Sequence, residues 1–162
     1  MNDVTQRISS IQEVQEAIKE ALEANVYFKR HSIPVLCENS AQIDFLIKNA
    51  IGKLGIVCVV QTPAFDYIGK DDDGHPVWEM PEASIVISEI PTTNRSRAGA
   101  STALDAALQA AESLNELGSE VCLSEIRQVE NQGIVSVFVT FRTACRFCYQ
   151  RQDLPPQETQ VP

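Results

Sequence analysis

The stretch from residue 84 to 117, ASIVISEIPTTNRSRAGASTALDAALQAAESLNEL, limits the possible folds most, because an apolar strand runs into a polar loop and then into a long helix. Ile85, Val86, Ile87 and Ile90 are β-branched and closely spaced, the composition of a buried strand, and Pro91 ends it by removing a backbone donor. The loop from Thr92 to Gly99 is polar and carries two arginines. Thr102 and Asp105 predict a capping box, after which Leu104, Ala107, Leu108, Ala111, Leu114 and Leu117 recur at helical spacing until Gly118. The centre of the core is expected here.

The flanking segments supply partners for that centre. Residues 3–24 read as a helix with a Ser10/Glu13 capping box and an apolar stripe of Ile11, Val14, Ile18, Ala21 and Leu22, and Asn25 is its expected end. Residues 26–39 follow as a segment containing a strand, in which Ile33, Val35 and Cys37 alternate with other residues. A second helix is expected from Ser40 to Leu54, started by Asn39 and Gln42, with Ile43, Leu46, Ile47, Ala50, Ile51 and Leu54 on one face and Gly55 as the left-handed exit. The run Ile56 to Gln61 is apolar throughout, as in a strand buried on both faces. Residues 64–80 read as a hairpin turning near Asp73-Gly74, and Val121 to Val129 with Ile134 to Tyr149 read as another, turning at Glu130 to Gly133.

This order predicts an α/β (α+β) fold, a mixed β-sheet with three main helices packed on it and one or two β-hairpins. Residues 1–150 form a single domain, and residues 151–162, with three prolines and no periodicity, read as a disordered tail. A chain of 162 residues can bury roughly two thirds of the surface that it exposes when unfolded.

A net charge of −9 repels phosphates, so specific nucleic-acid binding is not expected. No apolar run approaches the roughly 20 residues of a membrane span, and the first ten residues lack the layout of a signal peptide. The expected location is the cytoplasm. Five cysteines in apolar segments suit a reducing compartment.

Reactive constellations are few. Cys145-Arg-Phe-Cys148 has redox spacing, but it ends a strand with no helix behind it, and residues three apart on a strand face opposite ways. A zinc site there would need two more ligands. Asp71, Asp72, Asp73 and His75 invite a metal reading, yet Gly69 occupies the first ligand position of a calcium loop, and a solvated turn is preferred. His31 and Cys37 would lie about 20 Å apart on a regular strand, too far for a dyad. No Gly-x-Ser-x-Gly surrounds a serine, so neither an enzyme activity nor a cofactor or metal is assigned. The 93–99 loop lacks a phosphate-loop ending, and its arginines suit contact with an acidic neighbour.

One string in the central stretch resembles a known family. Ile87-Ser-Glu89-Ile-Pro91-Thr-Thr-Asn94-Arg95, a short glycine-containing loop and Thr102-Ala103 opening a helix look like phage and prophage tail-terminator, or tail-completion, proteins, over about residues 26 to 117. That resemblance implies a structural virion-assembly protein, not an enzyme. It forms a ring, commonly six-fold, on the last layer of a tail tube, stops polymerisation and presents the head-facing surface. The partners implied are other copies of the chain, the tail tube protein and head-tail connector proteins, and the location is the bacterial cytoplasm and then the virion tail. Asn94, Arg95 and Arg97 are the expected subunit-interface residues, and an acidic lumen would let DNA pass without sticking. Two other readings stand beside it: a redox or metal-binding domain using Cys145 and Cys148, and an adaptor using the proline-rich tail.

Overall fold

Two long strands, β5 (Pro76–Glu89) and β7 (Ile134–Tyr149), pair antiparallel from Val77↔Cys148 to Glu89↔Val135 and form the spine of the protein. The computed structural model describes residues 5–94, 102–115 and 121–149. On one edge of the spine, β3 (Ile56–Val60) pairs with the end of β5 and β4 (Asp66–Lys70) with its beginning, and β2 (Val35–Cys37) lies parallel to β3. On the other edge, β6 (Val121–Asn131) forms a hairpin with β7, and β1 (Gln6–Ile8) runs parallel to the last residues of β7. These seven strands make one mixed sheet, accompanied by α1 (Ile11–Ala24), α2 (Val26–Arg30), α3 (Ile43–Leu54) and α4 (Ala103–Asn115). The expected α+β class is the one observed.

Alternation along the strands separates two faces. Cys58, Val60, Ile85, Ile87, Val137, Val139 and Phe141 are buried on one face with Val14, Ile18 and Leu22 of α1 and the small residues of α4. Val57 points the other way and is also fully buried, and α3 contacts β2 and β3. The two helices α1 and α4 therefore cover one face, while α3 lies over the β2–β3 end of the other. The remainder of that second face is half-open, and Ser88 and Ser136 bond across it at 2.9 Å.

Several local expectations are corrected. The first helix starts at Ile11, because residues 6–8 join the sheet as β1. Its capping carboxylate, Glu13, takes the backbone N–H and hydroxyl of Ser9, one residue earlier than the expected Ser10. Residues 26–30 are helix, since the Asn25 side chain accepts from the N–H groups of Tyr27 at 2.8 Å and Phe28 at 3.3 Å and so starts a new helix where the last one ends. The second hairpin arm and the central strand are one continuous strand through Pro81, whose missing donor is absorbed by a register shift between Met80 and Glu82; the Thr143 hydroxyl donates to the Met80 carbonyl there. Residues 116–120 and 150–162, where the helix end and the tail were expected, lie outside the described residues.

The face of α4 also differs. Ala103, Ala106, Ala107, Ala110, Ala111 and Leu114 are buried, whereas Leu104 and Leu108 are 42% and 53% exposed. Ala107, Ala111 and Leu114 of the expected stripe are thus buried, but Ala103, Ala106 and Ala110 join them in place of Leu104 and Leu108, a shift of face that periodicity cannot fix. Small residues let α4 approach the sheet closely beside α1, and Asn25 Nδ2 donates to Ser113 Oγ at 2.5 Å to hold it there. The Thr102/Asp105 box is present, with Asp105 N–H to Thr102 Oγ1 at 3.1 Å and Thr102 Oγ1 to Asp105 Oδ2 at 2.7 Å.

Candidate functional site

The Glu-Ile-Pro-Thr-Thr-Asn string becomes a tight turn seated on the end of α3. Gly55 ends that helix at φ +76°, and its carbonyl accepts the Ile90 N–H at 2.8 Å. The N–H groups of Thr93 and Asn94 both return to the Ile90 carbonyl at 2.9 Å, which closes the turn. Asn94 is 4% exposed, and its Nδ2 donates to Oε2 of Glu89, itself 2% exposed, at 2.8 Å. Asn94 thus braces the base of the loop from inside. Arg95 and Arg97 lie outside the described residues, as does the rest of the loop to residue 101.

The outer surface of α3 is unusual for a helix of its composition. None of its twelve residues is fully buried. The apolar stripe predicted from the sequence faces the sheet but is only partly covered, and Leu54 remains 41% exposed. On the outer face Phe45 is 64% exposed, followed at helical spacing by the exposed Asn49 and Gly52, which offer no apolar cover and leave it standing clear. A recess of 290 Å³ lies at the opposite end of the sheet, where Val129, Ile134 and Phe138 line the β6–β7 hairpin beside Asn131 and Ser136. Arg127 covers part of that wall, its guanidinium 5.0 Å from the Phe138 ring centre. The two-residue turn at Gln132 and Gly133, both at positive φ, keeps this hairpin tight.

The cysteines separate as strand alternation requires. Cys145 lies with Phe147 on the wall of a 330 Å³ cavity between α1 and the sheet, bounded also by Ile8, Val14, Ile18 and Phe141. Cys148 turns to the other side, where its thiol donates to Asp71 Oδ2 at 3.8 Å. The spacing that suggested a dithiol therefore does not produce one. All five cysteines are free thiols.

Asp71 in turn organises the β4–β5 turn. Its Oδ1 accepts the N–H groups of Asp73 at 3.1 Å and His75 at 2.7 Å, and its Oδ2 lies 3.5 Å from His75 Nδ1. The backbone closes the same turn through Asp71 N–H to the His75 carbonyl at 2.9 Å and Gly74 N–H to the Asp71 carbonyl at 3.0 Å. The His75 N–H bond and the His75 charge hold the Asp71 carboxyl below its ordinary range. Burial first, and the Asp71 carboxylate second, push the Cys148 thiol above its ordinary value. Sequence reading separated this turn from Cys148, and no local signal connects positions 71 and 148; the β5–β7 register does.

A nucleophilic centre is not assembled by the other thiols. Cys58 is fully buried and its pKa is driven well up by desolvation, and burial with Glu16 nearby raises Cys37, which lies 3.9 Å from Glu16 Oε1. His31 belongs to the turn after α2, against the Tyr27 ring at 4.5 Å, not to a strand leading to Cys37. No protein-family model matches the chain, and no curated protein matches it. Among the described residues, no helix is long and apolar enough to cross a membrane.

Proposed function

We propose that this chain is a non-enzymatic structural subunit of the tail-terminator kind, which closes into a ring on the end of a tail tube and offers its other surface to head-tail connector proteins. The observation that carries this reading is the pairing of an exposed knob with a recess elsewhere on the same subunit. Phe45 projects from α3 over the β2–β3 end of the sheet, and the Val129/Ile134/Phe138 recess lies at the β6–β7 end. Different patches at opposite ends define a heterologous, head-to-tail contact, the kind from which rings are built.

Charge does not add to this pairing. α3 carries Lys48 and Lys53 against one acid, Asp44, while on the recess face of β6 Glu125 is balanced by Arg127, and Glu130, opposite Val135, belongs to the other face. The apolar knob and recess therefore carry the proposed contact. In this proposal Arg95 and Arg97, which follow Asn94 in the chain, contact the acidic surface of a neighbouring subunit. The Glu89–Asn94 bond and the Gly55 contact hold the turn at residues 91–94.

Native mass by light scattering over a wide concentration range, followed by negative-stain imaging, tests the ring. Closed rings of one subunit number are the expected result. A second experiment tests the polarity of the contact: Phe45→Ser blocks one patch and Phe138→Asp the other, so neither variant forms rings, yet their mixture forms heterodimers through the remaining pair of intact patches. A mixture that stays monomeric while the native chain makes rings would remove these patches from the interface.

A further inference from the structure

We propose that Asp71, His75 and Cys148 form a binding site for a divalent transition metal of the zinc class, with one coordination position left open. The three side chains converge at the β4–β5 turn whether or not the chain closes into a ring.

A carboxylate oxygen, an imidazole nitrogen and a thiolate sulfur are the three donor types that zinc accepts, at about 2.0–2.2, 2.0–2.1 and 2.3 Å. Tetrahedral placement at those lengths puts the donors about 3.3–3.6 Å from one another. Here Asp71 Oδ2 is 3.5 Å from His75 Nδ1 and 3.8 Å from Cys148 Sγ, and the three donor atoms all lie within 4.8 Å of one another. Two of the three separations are thus already close to tetrahedral spacing, and the third has an upper limit about 1 Å beyond it.

The carboxylate is also oriented for the task. Its Oδ1 is occupied by two backbone N–H groups, so Oδ2 is the oxygen turned towards both His75 and Cys148. Outer hydrogen bonds that fix a ligand in this manner are a regular part of metal sites. Cys148 contributes from a buried position, 7% exposed, whereas His75 is exposed and leaves a path for the ion. Thiolate and imidazole select a borderline-soft ion and disfavour magnesium and calcium, which take oxygen donors.

Binding displaces the Cys148 thiol proton, and also the imidazolium proton wherever His75 is charged, so uptake of the ion releases protons. The bound ion links the β4–β5 turn to the end of β7, two segments otherwise joined through the sheet.

The test uses the full chain, kept reduced and stripped with a chelator, then titrated with cobalt(II) and with zinc(II) against a chromophoric competitor. One cobalt per chain is expected, with a thiolate-to-metal charge-transfer band and the intense visible bands of tetrahedral coordination, all lost on adding zinc and untouched by excess magnesium. Cys148→Ser should abolish the charge-transfer band. His75→Ala, an exposed change that leaves the fold intact by circular dichroism, should lower zinc affinity at least about 100-fold, since even outer-shell losses cost 10–100-fold. Cys122→Ser should change nothing. No cobalt uptake by the stripped native chain, or a charge-transfer band that survives Cys148→Ser, would overturn the site.

Discussion

Gly55 and Asn94 approach so closely that a Cβ on residue 55 would lie 2.3 Å from the Asn94 backbone nitrogen. Two constraints therefore coincide at Gly55, the positive φ of +76° and the absence of room. A left-handed conformation costs an ordinary residue about 1–2 kcal/mol, and overpacking against fixed backbone adds about 1–3 kcal/mol. Gly55→Ala should destabilise the protein by about 3 kcal/mol, measured by urea unfolding. A loss under about 1 kcal/mol would mean that the 91–94 turn yields readily.

Asn94 was expected at a subunit surface, but its burial against Glu89 makes it a stability residue first. Asn94→Ala removes one donor to a buried carboxylate and should lower stability by about 1–3 kcal/mol. Asn94→Asp should be worse, because two carboxylates would then face each other. Equal stability of all three proteins, with a defect in assembly alone, would return Asn94 to the interface.

Gln15 is fully buried on α1, and its Nε2 donates to the Val60 carbonyl at a long 3.5 Å while its Oε1 finds no partner among the described residues. The Val60 carbonyl also accepts Glu38 N–H at 2.9 Å and would not be orphaned by a substitution. Gln15→Met keeps the volume and removes an unpaired acceptor, so a gain of about 1 kcal/mol is expected in urea unfolding. A loss of similar size would show that the amide is satisfied in solution.

The thiols should divide by exposure. Cys122 should react rapidly with an aromatic disulfide reagent, whereas Cys37 and Cys58 should react only on unfolding. Their folded-state pKa values lie above the ordinary 9.0, so the stability that they contribute is intact below about pH 8.5 and is lost as pH rises towards the folded values, because the unfolded chain ionises first. The urea midpoint should fall above pH 9, and less steeply in Cys58→Ala. A midpoint that is flat to pH 10 would contradict that burial.

Phe45 offers the sharpest separation between folding and assembly. At 64% exposure, Phe45→Ser should change unfolding free energy by no more than about 0.5 kcal/mol. Light scattering of the same variant should show assembly lost at concentrations where the native chain is assembled. Normal assembly would move the contact elsewhere on the molecule.

Short-range chemistry made much of this chain legible from its sequence alone. The apolar run at residues 56–60 is a buried strand, Gly55 is the left-handed exit of α3, and Thr102 and Asp105 cap α4, because each depends on neighbours within a turn or a strand. Helical period, turn residues and β-branched runs also determined the mixed α+β class. Tertiary structure decided the rest. On α4, Ala107, Ala111 and Leu114 were legible as buried, and only close packing on the sheet selected Ala103, Ala106 and Ala110 beside them over Leu104 and Leu108. Pro81 lacks a backbone donor, and the strand runs on through it only because the pairing with β7 shifts register there. Asp71 and Cys148, 77 residues apart, meet because β4, β5 and β7 align in one register, and α3 lies over the β2–β3 end of a sheet whose strand order no local pattern encodes. Periodicity acts over a few residues, whereas register and choice of face are settled by contacts that exist only after the chain has folded.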